Sequence, residues 1–558
     1  MKKFLHLTCL FAFILISTNI CQSQMLVPDF AMHFLAGSED EIQKSMIDQQ
    51  GNLYLVGTFK SDSLIFGVDT LMREGDNDLF LVKIDQDTNI VFAKSYYGKG
   101  AALISGIVLD SHGNICLTGH YQDSVRFDAF AFKAIAPYSW AKKSFVVKAN
   151  PTGTALWAKD FGGNTSDGSM VIDANDNLYI SGWFGEVLSI EGTSSMTFTV
   201  YPGNRSRQYM VKMDADGNAK WLKDYGGELM IDKDQNLYFA GSYMDSVYLE
   251  NYVLRTYIAK ENHNIYVAKA DTNGHVIWAK KFCEGEHALL NGAIIDTVTN
   301  TIYLTGTYKT DTLTFDNHII HNNGTADIYI AKFDTAANVL NAITIGNTAP
   351  EYAWGLTRIS SQYMALLGTT FSDSIVWGSN IIYSGINPTS FGDFFLAVFD
   401  NNMAPVWGKG FPKSSGQALQ SVISDANENV YVVGDFSQTK EVTTKSAFIT
   451  DQPTFIDCPA LYLVKFSMNA TVLPKVREDT KSLTIWPNPS SGSLNISLST
   501  ASAAFDMEIF SVVGKKMIQQ SSVSSDEIID VSKFQPGLYL IRVQTKDNQI
   551  LTRKFIRK

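Results

Sequence analysis

The residue types that do chemistry are present in this chain but seldom gathered. Of nine histidines only His318 and His321 stand close together. Three apart in a variable segment, they are a weak metal spacing and read better as solvated surface residues. The runs Asp173–Asn177, Asp214–Asn218 and Asp232–Asn236 begin like calcium loops, but none continues to the glutamate that completes the coordination. Carboxylates and amides at those places suit tight turns between strands. Nucleophile-elbow, zinc-protease, phosphate-loop and dinucleotide spacings are absent, so no catalytic residue, metal or cofactor is assigned. What remains for ligand recognition is a set of polar and aromatic residues where the chain varies most: Glu39, Asp40, Asp167, Tyr201, Arg205, Arg207, Glu286, His287 and Glu351. Such groups act together only if a rigid frame brings them to one surface.

That frame is a repeat. Gly57, Gly119, Gly182, Gly241, Gly306, Gly368 and Gly434 mark one segment recurring every 59 to 66 residues. The clearest copies read Asp-x-x-Gly-Asn-x-Tyr-x-x-Gly-x-aromatic, as in Asp48 to Phe59 and Asp110 to Tyr121, with Cys116 in the tyrosine's place. Each copy predicts four β-strands. A run rich in small residues ends at the Asp, and a tight Gly-Asn turn leads to an alternating second strand. A third strand carries aromatic-φ-φ-Lys (Tyr209 to Lys212), and a fourth carries Trp-x-Lys-x-aromatic (Trp221 to Tyr225). The sixth copy is the most degraded, with Ser360 near the expected Asp and Val398 for the lysine. A period of this length without helical signal predicts an all-β, seven-bladed β-propeller over residues 24–476. The pattern resembles bacterial β-propeller repeats built on Asp-x-x-Gly-Asn-x-Tyr-x-x-Gly, a fold that hosts many functions. The decayed fourth strand of the last copy, interrupted by Pro474, leaves a vacancy that residues 30–36 match, so the ring is expected to close with an N-terminal strand.

Compartment is legible at both ends. Lys2 and Lys3 before an apolar run from Phe4 to Ile16 predict a signal peptide over residues 1–23, and no segment predicts a transmembrane span. Forty-five basic against 56 acidic residues, without runs of one sign, disfavour nucleic acid. The cysteines that remain, Cys116, Cys283 and Cys458, form no disulfide framework.

Past a polar linker at 477–482, residues 483–558 predict seven short strands in a small Ig-like sandwich. They contain Trp486-Pro487-Asn488-Pro489-Ser490-Ser491-Gly492, then Ile509-Phe510 with Gly514-Lys515, then Gly537-Leu538-Tyr539, and a basic end. These ordered motifs resemble the type A C-terminal sorting domain of type IX secretion, with Trp486 where that family commonly has Tyr. The resemblance implies handling by the type IX secretion machinery, removal of the domain, and release or surface attachment. The recurring Asp-Ser/Thr-aliphatic segments, such as Asp62-Ser63-Leu64 and Asp311-Thr312-Leu313, are similar to O-glycosylation acceptors of bacteria using that route. As residues they equally suit a polar turn entering a short strand.

With no visible site chemistry, the sequence favours a secreted or surface-displayed binding or adhesion protein whose partner is an extracellular glycan or protein. The alternative is a propeller hydrolase or lyase acting on extracellular polysaccharide. Any ligand is expected on the face carrying the second-to-third loops and the connections between copies.

Overall fold

The computed structural model describes residues 26–36, 39–134, 142–185, 188–190, 207–256, 263–283, 287–377, 380–383, 392–411, 417–436, 460–468, 483–486, 490–498, 505–511, 516–524, 527–544 and 550–558. The chain is all-β. Among the described residues there is no helix, and so none long and apolar enough to cross a membrane. One compact unit spans Gln24–Ala470 and another contains Thr471–Lys558.

In the larger unit each copy of the repeat becomes a four-stranded antiparallel array. The first is Glu41–Ile47, Leu53–Phe59, Asp78–Ile84 and Ile90–Lys99. The second is Ala102–Leu109, Ile115–Tyr121, Lys143–Ala149 and Ala155–Gly162, and the third Thr165–Ile172, Leu178–Phe184, Arg207–Met213 and Ala219–Lys223. The fourth is Glu228–Ile231, Leu237–Tyr243, Asn264–Ala270 and Val276–Phe282, and the fifth Ala288–Asp296, Thr301–Tyr308, Asp327–Asp334 and Val339–Ile345. The sixth is Glu351–Arg358, Tyr363–Thr370, Asp393–Asp400 and Pro405–Phe411. The last contains Gln417–Ser424, Val430–Phe436 and Ala460–Met468, and its outer strand is Leu26–Leu35, from the other end of the chain. That strand runs antiparallel to Ala460–Met468, from Leu26 opposite Met468 to Leu35 opposite Ala460.

No sheet closes on itself. Instead the first strand of each array lies against the first strand of the next, and Gln417–Ser424 lies against Glu41–Ile47, returning the series to its start. Side chains join these inner strands: Gln43 Oε1 accepts from Ile104 N at 2.7 Å, Ser169 Oγ from Leu229 N at 3.0 Å, and Ser45 Oγ donates to Ser421 Oγ at 3.0 Å.

The core lies between arrays. Tyr54, Val56 and Leu81 of the first pack with Ile104, Leu117 and Phe145 of the second, and Phe34, Val433 and Leu463 of the last pack with Leu55 and Phe80 of the first. Every residue of Leu53–Phe59 is consequently buried. This corrects the alternating pattern expected of the second strand: a sheet covered on both faces selects apolar residues on both. The marker glycines follow from the same crowding, since a Cβ on Gly57 would lie 1.9 Å from Glu41 O and 2.8 Å from the Phe80 ring.

The rest of the repeat is structural as well. Asp173 Oδ1 accepts from Asn175 N and Asn177 N at 3.0 and 2.9 Å, and Oδ2 accepts from Tyr179 Oη at 3.1 Å. Asp48, Asp110, Asp232 and Asp425 hold their turns through the same backbone bonds. The carboxylates that looked like the opening of a calcium loop are thus engaged within their own turns. Lys212 lies over the Tyr179 ring, and its Nζ donates to Thr272 O of the next array at 3.1 Å, where Trp221 Nε1 also donates at 3.1 Å. Lys148 and Trp157 clamp Ala215 O identically. Even the degraded sixth copy keeps its turn, with Ser360 Oγ accepting from Gln362 N at 3.2 Å.

Among the described residues, the second-to-third connections of the first, second, fourth, fifth and sixth copies are hairpins rather than open loops. Ser63–Phe66 pairs with Asp69–Met72, Ser124–Phe127 with Phe130–Lys133, and Thr312–Phe315 with His318–His321. The Asp-Ser/Thr-aliphatic segments therefore enter strands. His318 and His321, three apart on one strand, point to opposite faces and cannot share an ion.

The C-terminal unit holds two antiparallel sheets, Leu483–Trp486, Ser493–Leu498 and Ile528–Asp530 in one, and Lys516–Val523, Phe505–Ser511, Gly537–Gln544 and Ile550–Arg557 in the other. Leu494, Ile509, Ile541 and Phe555 fill the space between them. Tyr539 is buried, stacks on Phe555 at 5.5 Å and donates to Gln535 O at 2.9 Å. Gly492 sits opposite Val531, whose N donates to its carbonyl at 2.9 Å, and Ser490 pairs with the basic end through Lys558 N at 2.9 Å. Pro487, Asn488, Pro489, Gly514 and Lys515 lie outside the described residues.

Candidate functional site

The inner strands are not identical, and their differences make a cavity. Six of them carry one extra residue as a bulge: Gln43, Ser105, Gly168, Asn291, Trp354 and Gln420. In four arrays that residue's side chain covers the position after the marker glycine. Gln43 Nε2 donates to Thr58 Oγ1 at 3.2 Å, Thr307 Oγ1 to Asn291 Oδ1 at 3.4 Å, Trp354 Nε1 to Thr369 Oγ1 at 2.6 Å and Gln420 Nε2 to Asp435 Oδ1 at 3.2 Å. In the third array the bulge is Gly168, which has no side chain to offer, and Trp183 after Gly182 stays 44% exposed. The fourth array has no bulge, and its inner strand is only Glu228–Ile231.

A cavity of about 790 Å³ opens there, walled by the third, fourth and fifth arrays. It lies where second strands end and third strands begin, the end that carries the hairpins and the connections between copies. Trp183, Arg207, Gln208, Asp224, Glu228, Tyr243, Asp245, Tyr248 and His263 line it. Tyr248, 47% exposed, belongs to the hairpin strand Ser246–Leu249. Arg207 Nη1 pairs with Asp224 Oδ2 at 3.0 Å. Glu228 Oε1 accepts from Ser169 Oγ at 3.3 Å. The Glu228 side chain is solvent-accessible within the cavity, yet the atoms crowded around it desolvate the carboxyl and raise it above the usual carboxylate range, against the Lys44 charge and the Ser169 hydrogen bond, which both lower it. His263 meets His287 edge to face at 5.2 Å, and burial, then the His287 charge, push it below the ordinary imidazole range. Stackable aromatic faces thus stand beside a guanidinium, an amide and several carboxyls in one concave space, a combination that orients polar ring-shaped ligands.

The residues expected from sequence divide sharply. Arg207 is in the cavity and His287 stands behind its His263 wall. Asp167 precedes Gly168 in Thr165–Ile172, and Tyr201, Arg205 and Glu286 lie outside the described residues. Glu39 is exposed and pairs with Lys60 at 2.8 Å, away from the cavity. Two expectations are corrected. Asp40 is 2% exposed and caps its hairpin by accepting from Lys60 N and Ser61 N at 2.8 and 3.0 Å. Glu351 is fully buried, accepting from Thr370 Oγ1 at 2.8 Å and Asn347 N at 3.0 Å. Neither presents a group to a ligand at the surface.

Trp183, Gln208, Asp224, Glu228, Asp245, Tyr248 and His263 were missed. A signal existed: the position after the marker glycine reads Thr58, His120, Trp183, Ser242, Thr307, Thr369 and Asp435, with one large aromatic. The shortest spacing, 59 residues, separates Gly182 from Gly241, the copy that lost its bulge.

An uncharacterised WD repeat-containing protein of Acanthamoeba polyphaga mimivirus is 21% identical over 459 residues, 68% of this chain and 32% of that protein. An ulvan lyase of Nonlabens ulvanivorans is 28% identical over 122 residues, 22% of this chain and 21% of the lyase. The chain therefore spans about a third or less of these relatives' lengths. Among solved structures, virginiamycin B lyase from Staphylococcus aureus aligns with a TM-score of 0.39 at 8% identity, over 79% of this chain and 99% of that one. Phage phi92 endosialidase aligns at 0.37 and 9%, over 95% and 87%. Residues 484–558 match the family described as the secretion system C-terminal sorting domain. The chain thus ends in a type IX sorting domain, and the protein is exported to the cell surface or the extracellular space with that tail removed.

Proposed function

We propose that residues 24–476 form a seven-bladed β-propeller, that residues 483–558 form an Ig-like sorting sandwich beyond a linker at 477–482, and that the exported propeller binds an extracellular glycan in the cavity between its third, fourth and fifth blades. The cyclic contact of the inner strands and the inter-array cores support the blade count. One observation carries the function: Trp183 and Tyr248 hold exposed ring faces inside a cavity that also offers Arg207, Gln208, Asp224 and Glu228. A sugar has an apolar C–H face that stacks on an aromatic ring and a rim of hydroxyls that pair with charged and amide groups. A binding role needs no further chemistry. The test is a glycan array probed with the exported, tail-free protein, followed by Trp183→Ala and Tyr248→Ala. Each substitution should weaken any hit at least tenfold; hits indifferent to both would overturn the site.

A second reading, polysaccharide cleavage, draws on one arrangement. Glu228 is held toward its protonated form while Asp224 is fixed as an ion pair with Arg207, and two carboxyls in contrasting environments can divide acid and base roles. The ulvan lyase relative is consistent with it. Incubation with array-positive polysaccharides decides: chain shortening abolished by Glu228→Gln supports cleavage, and intact chains support binding alone.

A further inference from the structure

The cavity's charges do not balance, and the imbalance points to a ligand of definite sign. Among the described residues its acids are Asp224, Glu228 and Asp245, and its bases are Arg207 and His263. Arg207 is neutralised by Asp224 at 3.0 Å. His263 is pushed below the ordinary imidazole range by burial and then by the His287 charge, which weakens its share of the positive charge. Glu228 and Asp245 have no ion pair within 4.0 Å among the described residues; the Lys44 charge acts on Glu228 only from beyond that distance, and Ser169 is its hydrogen-bond donor. Asp245 is exposed at the start of the hairpin that carries Tyr248. The Trp183 and Tyr248 rings are 44% and 47% exposed in the same space. Asp245 without a counter-ion, and Glu228 as a carboxyl that a nearby cation can ionise, stand beside open aromatic faces and so disfavour an anionic guest and favour a cationic one, through charge and through the ring quadrupoles.

We propose that the glycan taken by this cavity carries a protonated amino group, which sits between Trp183, Tyr248, Glu228 and Asp245. The inference rests on the glycan-binding reading above and narrows it from any sugar to amino sugars with a free amine. An uncharged or acetylated sugar would stack on the rings but leave Asp245 and Glu228 without a counter-ion. Binding of the amine form also draws Glu228 toward its ionised state.

Titration calorimetry of the exported, tail-free protein with tetramers of glucosamine, N-acetylglucosamine and glucose tests this. At pH 6 the glucosamine tetramer should bind at least tenfold more tightly than the other two. The preference should disappear at pH 9, where the amine is neutral. Glu228→Gln should remove most of the preference for the glucosamine tetramer over the other two. Asp245→Asn, at an exposed position that does not support the fold, should reduce it several-fold and gives a reading if the first variant is unstable. Equal binding of the three tetramers, or equal weakening of all three by Glu228→Gln, would overturn the amine inference while leaving the glycan site intact. Failure of every sugar to bind, with a Lys-rich peptide binding instead, would overturn the glycan reading itself.

Discussion

Replacing Glu351 by Gln should change how stability depends on pH. Glu351 and Asp327 are both fully buried, and both approach Gly346: a Cβ there would lie 2.5 Å from Asp327 Oδ1 and 2.8 Å from Glu351 Oε2. Asp327 Oδ2 accepts from Asn323 N at 2.7 Å, while its Oδ1 has no hydrogen-bond partner. Burial, with the nearby Asp327 charge adding to it, pushes Glu351 up to about 7, and burial pushes Asp327 up to about 6. A carboxyl whose folded value is raised binds its proton more tightly when folded. Its stabilising contribution is complete below the unfolded value and is lost as pH rises through the folded one. For Glu351 the window runs from 4.5 to about 7 and corresponds to about 3 kcal/mol, at about 1.4 kcal/mol per pH unit. Glu351→Gln removes that titration. It also disturbs the bond from Asn347 N, a pH-independent cost of about 1 kcal/mol. Urea unfolding of the two proteins at pH 5, 6, 7 and 8 should show the variant gaining on the native protein by about 2–3 kcal/mol across the series, since the part of the window below pH 5 lies outside it. A difference that stays constant from pH 5 to pH 8 would refute the buried protonated pair.

Other perturbations probe the remaining parts of the argument. Phe34, 3% exposed and 4.8 Å from Phe66, holds the closing strand, so Phe34→Ala should cost about 3–5 kcal/mol in chemical unfolding; truncation to residue 40 should lower the melting temperature further, and an unchanged melt would mean that the ring closes another way. Lys212→Met removes a charged donor from Thr272 O, and a loss of about 1.5–3 kcal/mol is expected by the same assay. Deleting residues 481–558 should stop export while leaving a folded, protease-resistant repeat unit in the periplasm, as read by cell fractionation and limited proteolysis; normal delivery of that truncation to the surface would contradict the role of the tail.

The strands, turns and closing segment were legible because each is a local or repeated constraint. Asp173 and Asn177 make their turn from five consecutive residues, Gly57 is required by backbone crowding, and residues 30–36 matched an outer strand by their own pattern. The cavity was not legible in the same way, because it comes from what two copies lack. Gly168 offers no side chain where other copies cover their second strand, and the fourth inner strand is short by its bulge. Loop variability was a poor guide to chemistry for a related reason. Asp40 and Glu351 sit where one copy passes into the next, yet residues at or just past the end of the following second strand donate to their oxygens. Variation in a connection marks where the frame tolerates change, and it does not say which changed residues face solvent. Variation within a strand is more informative, because every other copy reports what the frame requires at that position. Trp183 stands where the frame accepts Thr58, Thr307 or Thr369, so its ring is surplus to the fold. A large aromatic left 44% exposed on a rigid strand, with no partner among the described residues of the frame, is the residue on which a ligand hypothesis is best tested first.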